Sequence, residues 1–72
     1  MTSEVGFWFK GKVREVSVLP IYEMMTFYVE LIGYEVKVYN DNKECVVEFG
    51  TTIEDALFGA RKLLEKRQDF FD

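Results

Sequence analysis

Val16-Ser17-Val18-Leu19-Pro20-Ile21-Tyr22-Glu23-Met24-Met25-Thr26-Phe27-Tyr28-Val29-Glu30-Leu31-Ile32-Gly33-Tyr34-Glu35-Val36-Lys37-Val38-Tyr39 carries the strand pattern from which the rest of the chain is arranged. Apolar residues alternate with polar ones, which marks half-buried strands. The phase of the alternation changes, however. Val16 and Val18 are apolar at even positions, Met25, Phe27, Val29 and Leu31 at odd ones, and Ile32, Tyr34, Val36 and Val38 at even ones again. Upstream, Val5, Phe7 and Phe9 are odd. A period-2 pattern changes phase only through a bulge, kink or turn, and two of the changes fall near Gly11 and Gly33.

Proline fixes its own φ and cannot donate to a ladder, so Pro20 reads as the connection between two strands. With Val18 opposite Met25 and Val16 opposite Phe27, the same register sets Phe9 opposite Tyr34 and Phe7 opposite Val36, a long hairpin bent near Gly11 and Gly33. The rival is a tight turn at Ile32-Gly33, which requires φ > 0 at a β-branched residue. Against the bent hairpin, an unbroken strand from Met24 to Tyr39 would run on the order of 50 Å at about 3.3 Å per residue.

Asn40-Asp41-Asn42-Lys43 is turn chemistry. A two-residue Asp41-Asn42 loop puts Val38 opposite Cys45, Val36 opposite Val47 and Tyr34 opposite Phe49 on the inner face, and Glu35 opposite Glu48 on the outer one. After Gly50, the pair Thr51 and Glu54, or Thr52 and Asp55, has capping-box spacing. Ile53, Ala56, Leu57, Ala60, Leu63 and Leu64 form one helical stripe. Arg61 and Glu65 read as an i,i+4 pair on the wet side, and the helix is expected to fray over residues 68–72. The expected fold is α+β: a small antiparallel sheet of three or four strands, two of them long and bent, with one C-terminal helix on one face, residues 1–72 forming a single domain.

The composition narrows function by exclusion. A chain of 72 residues buries only roughly 60% of its unfolded surface, and such small domains rely on disulfides, a metal, self-association or dense packing. One cysteine, Cys45, and no histidine rule out an intrachain disulfide and the usual zinc sites. With twelve aromatic residues available for packing, a homodimer is expected. The first ten residues lack a signal-peptide pattern and no run is long enough to span a membrane, so a cytoplasmic protein is expected. A net charge of −4 disfavours a protein that grips nucleic-acid backbones.

Catalysis is not expected. There is no histidine base, Ser3 and Ser17 have no partner base, and Cys45 is expected to point inward as packing. Glu35 and Glu48, side by side on a wet sheet face, would lack the desolvation and cleft that acid–base or metal chemistry needs, and neither a metal nor a cofactor is expected. Trp8, Lys10, Lys12 and Arg14 put an aromatic beside three cations on one strand face, a pattern that can track a single-stranded nucleic acid. The plainer reading is a lysine-guarded edge strand. Phe58 lies opposite the buried helical stripe and, with Trp8, Phe70 and Phe71, suggests an aromatic patch of the kind that anchors interfaces.

The segment Gly50-Thr51-Thr52-Ile53-Glu54-Asp55-Ala56-Leu57-Phe58-Gly59-Ala60 resembles the strand-to-helix entry of HicB-like antitoxin domains and the last strand and helix of double-stranded RNA-binding domains. The proline- and glycine-containing stretch of the first family is missing, and Ile53-Glu54 stand where the second has a lysine pair, so neither family is assigned. The expected function is a small non-catalytic protein-binding module, a regulator, inhibitor or accessory subunit, with Trp8, Phe58, Phe70 and Phe71 as anchors. Acidic residues, among them Glu30, Glu35, Glu44 and Glu48, would steer a basic partner. The alternative is single-stranded nucleic-acid binding through Trp8, Lys10, Lys12 and Arg14.

Overall fold

The computed structural model describes residues 6–71; Val5 and Asp72, read above as part of the first strand and of the fraying tail, lie outside them. The chain runs β1 (Trp8–Phe9), β2 (Lys12–Val13), β3 (Val16–Met24), β4 (Val29–Tyr39), β5 (Cys45–Gly50) and α1 (Ile53–Lys66). β1 and β2 form a two-stranded sheet; β3, β4 and β5 form a three-stranded antiparallel sheet in that order. The α+β class, the two long strands and the C-terminal helix packed on the sheet are as the sequence indicates.

The pairing of the long strands differs from the expected bent hairpin. Val16 lies opposite Val38, Val18 opposite Val36 and Pro20 opposite Tyr34. Pro20 is inside β3, not a connection, because β3 is an edge strand, where one face of the backbone needs no donor. The chain reverses instead over Thr26-Phe27, closed by the Met25 N–H donating to the Tyr28 carbonyl at 2.8 Å. Ile32-Gly33 is not a turn: the register shifts there, with Ile21 opposite Gly33 and Tyr22 opposite Leu31. Ile32 is the extra residue of a bulge. Phe7 and Phe9 do not face β4 as partners; the Lys10-Gly11 turn, with φ of 53° and 77°, folds Phe9 back opposite Lys12. Positive φ at both central residues suits a tight hairpin, and glycine supplies it without strain at the second.

The β4–β5 loop is one residue longer than expected. The Asn40 N–H donates to the Glu44 carbonyl at 2.9 Å and the Lys43 N–H to the Asn40 carbonyl at 3.1 Å, while Lys43 adopts φ 66°. This is a three-residue loop, a turn followed by a left-handed residue. Its extra residue moves the register by one, so Tyr39 faces Cys45, Val38 faces Val46 and Val36 faces Glu48. A one-residue slip exchanges the two faces of a strand. Val46 is therefore buried, and Cys45, Val47 and Phe49 point out.

The helix follows the expected stripe: Ala56, Ala60 and Leu64 are fully buried, with Leu57 and Leu63 packed alongside. Thr52 is the N-cap, its Oγ1 accepting from the Asp55 N–H at 3.1 Å. These residues close over Val36, Val38 and Val46, and Phe7, Phe9 and Phe70 complete the core. Where β4 meets the end of β5, a methyl group on Gly33 would lie 2.7 Å from the Gly50 carbonyl oxygen, closer than any real contact.

Two losses of stability follow, both measurable by urea denaturation. Leu64→Ala is expected to cost about 2–5 kcal/mol as a core cavity, and Gly33→Ala about 1–3 kcal/mol from overpacking against backbone.

Candidate protein-binding surface

β5 ends at Gly50 opposite Tyr34. Beyond that point β3 and β4 continue as a two-stranded arm, residues 21–32, with neither a third strand nor the helix against it. The described residues extend 48 Å along one axis and 25 and 19 Å along the others. Strand alternation fixes what each face of the arm carries. Val18 and Val36 are on the helix side; two residues on, so are Pro20 and Tyr34. The Ile32 bulge keeps the phase, so the pairs Tyr22–Leu31 and Met24–Val29 continue the same face. On the other face Glu23 sits opposite Glu30.

The helix-side face of the arm is thus an uncovered continuation of the hydrophobic core. On this face Met24 is 84% exposed, with Tyr22, Val29 and Leu31 also exposed; Phe27, at the tip, is 93% exposed, and Tyr28 and Ile32 are exposed elsewhere on the arm. Contiguous apolar patches beyond a few hundred Å² mark interaction sites.

The residues singled out from sequence are dispersed. Phe70 is a core residue at 6% exposure, not a surface anchor, and its carbonyl accepts from the buried Asn40 Nδ2 at 2.8 Å. Asn40 Oδ1 in turn accepts from the Asn42 and Glu44 backbone N–H groups. Phe71 is half-buried, its ring 5.6 Å from that of Phe9 and 4.0 Å from the Arg14 guanidinium carbon. The tail therefore docks where fraying was expected. Arg61 does not serve a wet-side pair with Glu65. Its guanidinium donates to the Trp8 carbonyl at 2.7 Å and lies 4.8 Å from the Phe7 ring centre, because the N-terminal hairpin packs across that side of the helix.

Trp8 and Phe58 do remain exposed, at 61% and 60%. Phe58 borders an open pocket of about 240 Å³ lined by Gly6, Phe7, Glu54, Leu57 and Arg61. Glu35 and Glu48 are on opposite faces: Glu35 lies opposite Phe49, whereas Glu48 lies opposite Val36 and reaches under the helix at Gly59. They form no couple. Cys45 is an exposed thiol rather than inward packing.

The row Trp8, Lys10, Lys12 and Arg14 does not form one strand face either. Lys10 is in the turn and its Nζ donates to the Gln68 carbonyl at 2.6 Å; Arg14 Nε donates to the Phe9 carbonyl at 2.8 Å. Lys12, opposite Phe9, is exposed.

The arm escaped the sequence reading, although a signal is present. Nine of the twelve residues 21–32 are apolar, in both phases of the alternation, and only Glu23 and Glu30 are charged. Such a segment wants cover on both faces, which one helix cannot supply. Comparison with protein-family models, with curated proteins and with solved structures gave no match.

Core and surface aromatics are expected to separate cleanly in denaturation followed by circular dichroism. Phe70→Ala loses about 3–5 kcal/mol, whereas Phe58→Ala stays within roughly 0.5 kcal/mol of the parent.

Proposed function

We propose that this chain is a non-catalytic protein-binding module whose contact surface is the 21–32 arm. The observation that carries the reading is the continuation of the core face, through Tyr22, Met24, Val29 and Leu31, past the end of the helix into solvent. Interfaces are built around apolar and aromatic residues, and this face has that composition: Tyr22, with Phe27 at the tip, as aromatic anchors and Met24 as adaptable filler, with Glu23 and Glu30 turned to the opposite face. Trp8 and Phe58, on the body of the domain, are separate apolar positions and not part of this surface.

A photo-cross-linking amino acid placed at Phe27 or Leu31 is expected to give discrete protein adducts in concentrated extract of the native host. The same group at Lys66, on the exposed helix end, is the comparison. Adducts confined to the arm support the reading; equal labelling from all three positions, or none from the arm, would sink it.

A further inference from the structure

We infer that the flank of α1 next to the N-terminal hairpin binds single-stranded nucleic acid, one base entering the open pocket beside Phe58 and the neighbouring phosphates lying on the cations around it; the arm takes no part. The pocket, about 240 Å³, runs along one helical stripe. Glu54, Leu57, Phe58 and Arg61 stand at i, i+3, i+4 and i+7, with Gly6 and Phe7 completing the lining. The lining is mainly apolar, with a carboxylate and a guanidinium about 10 Å apart along the helix axis at 1.5 Å per residue. Phe58 is 60% exposed, and Lys62 Nζ lies 4.8 Å from its ring centre. An open ring beside a cation is what a stacked base and its phosphate require.

The charge of the chain is divided. Residues 6–15 and 61–71 hold seven of the nine Lys and Arg but three of the thirteen Asp and Glu. The fold joins these two stretches, since Lys10 Nζ donates to the Gln68 carbonyl and Arg61 to the Trp8 carbonyl. Arg61, Lys62 and Lys66 face carbonyls, rings or solvent, while the ion pairs among the described residues are Lys37 with Glu35 and Lys43 with Glu15. The net charge of −4 does not forbid an anion here, because charges are screened over about 8–10 Å and the described residues extend 48 Å. Glu54 then selects the kind of anion. An acidic peptide or an anionic membrane would set more negative charge against that carboxylate, whereas an amino group on a base edge donates to it. Cytosine, adenine and guanine carry such a group and thymine does not. A duplex keeps its base faces stacked, so the unpaired strand is the form that fits.

Fluorescence anisotropy of labelled oligonucleotides of about 12 nucleotides, titrated with the full chain at about 50 and 200 mM salt, tests the inference. Oligo(dC) is expected to bind at the lower salt and weaken at the higher, with oligo(dT) about tenfold weaker. A mixed-sequence duplex should bind more weakly than its own separated strand, and poly(glutamate) should not compete. Phe58→Ala is expected to weaken oligo(dC) about five- to hundredfold, Lys62→Glu with Lys66→Glu to flatten the salt dependence, and Glu54→Gln to reduce the preference for dC over dT. All these positions are exposed, so circular dichroism should remain that of the parent; a variant that loses its spectrum is read through the others. Leu31→Glu, on the arm, should leave binding unchanged, which keeps this test separate from that of the arm. No binding of either oligonucleotide at the lower salt, a duplex bound as tightly as its strand, competition by poly(glutamate), or indifference to Phe58→Ala overturns the inference.

Discussion

A helix of 14 residues is about 21 Å long, whereas the 11 residues of β4 run to about 36 Å as a strand. Everything else in the molecule follows from that mismatch. One amphipathic helix has to cover a sheet longer than itself, and it settles where the sheet is widest, over the three-stranded part that includes β5. Only there do Val36, Val38 and Val46 meet Ala56, Ala60 and Leu64. The small side chains of Ala56 and Ala60 let the helix approach the strands closely, and the glycines at the strand ends, Gly33 and Gly50, let the backbones approach at the point where cover stops. What lies beyond is apolar and bare.

The same constraint explains why the segments around Phe7 and Phe70 fold onto the body. A sheet of three strands and one helix leaves the flank of the helix open, and the segments around Phe7 and Phe70 close it. Arg61 joins the first to the helix by donating to the Trp8 carbonyl across the Phe7 ring. Asn40 joins the second to the β4–β5 loop, satisfying loop donors with its oxygen and the Phe70 carbonyl with its nitrogen. A buried amide that fills both roles is costly to replace, since an apolar substitute would strand each of those groups. The aromatic tail thus contributes to the core, and its exposure in an unfolded chain is no guide to its place in the folded one.

The sequence pattern carried the fold class, the helix with its cap and stripe, and the presence of an irregularity at Ile32-Gly33. It failed where a single residue decides which way a strand faces. Pro20 reads as a connection because proline is excluded from central strands, yet nothing local tells an edge strand from a connection; that depends on strand order, which is a tertiary fact. At Asn40 to Lys43 the composition signals a turn but does not distinguish a loop of two residues from one of three, because Lys43 adopts a left-handed conformation usually given to glycine or asparagine. That one residue moved Glu48 to the helix side and Cys45 and Phe49 to the surface. The candidate anchors failed differently: helical spacing correctly left Phe58 outside, but residues after a helix have no periodicity from which to read burial.

The arm is also the part of the domain with least support of its own. An isolated two-stranded ribbon is at best marginally stable in water, and this one is tied to the body only through the continuity of β3 and β4. Its ladder has to be held against solvent with no layer on either face, while Glu23 and Glu30 oppose each other across it and repel. A domain under selection for stability alone would shorten such a hairpin or make its faces polar. Keeping nine apolar residues of twelve in it makes sense if the missing layer comes from outside the chain, because the layer then removes apolar surface from water and holds the ribbon in register at the same time. Binding and the ordering of the arm become one equilibrium, with the body of the domain, already closed by its helix and by the segments around Phe7 and Phe70, as the fixed platform from which the arm projects.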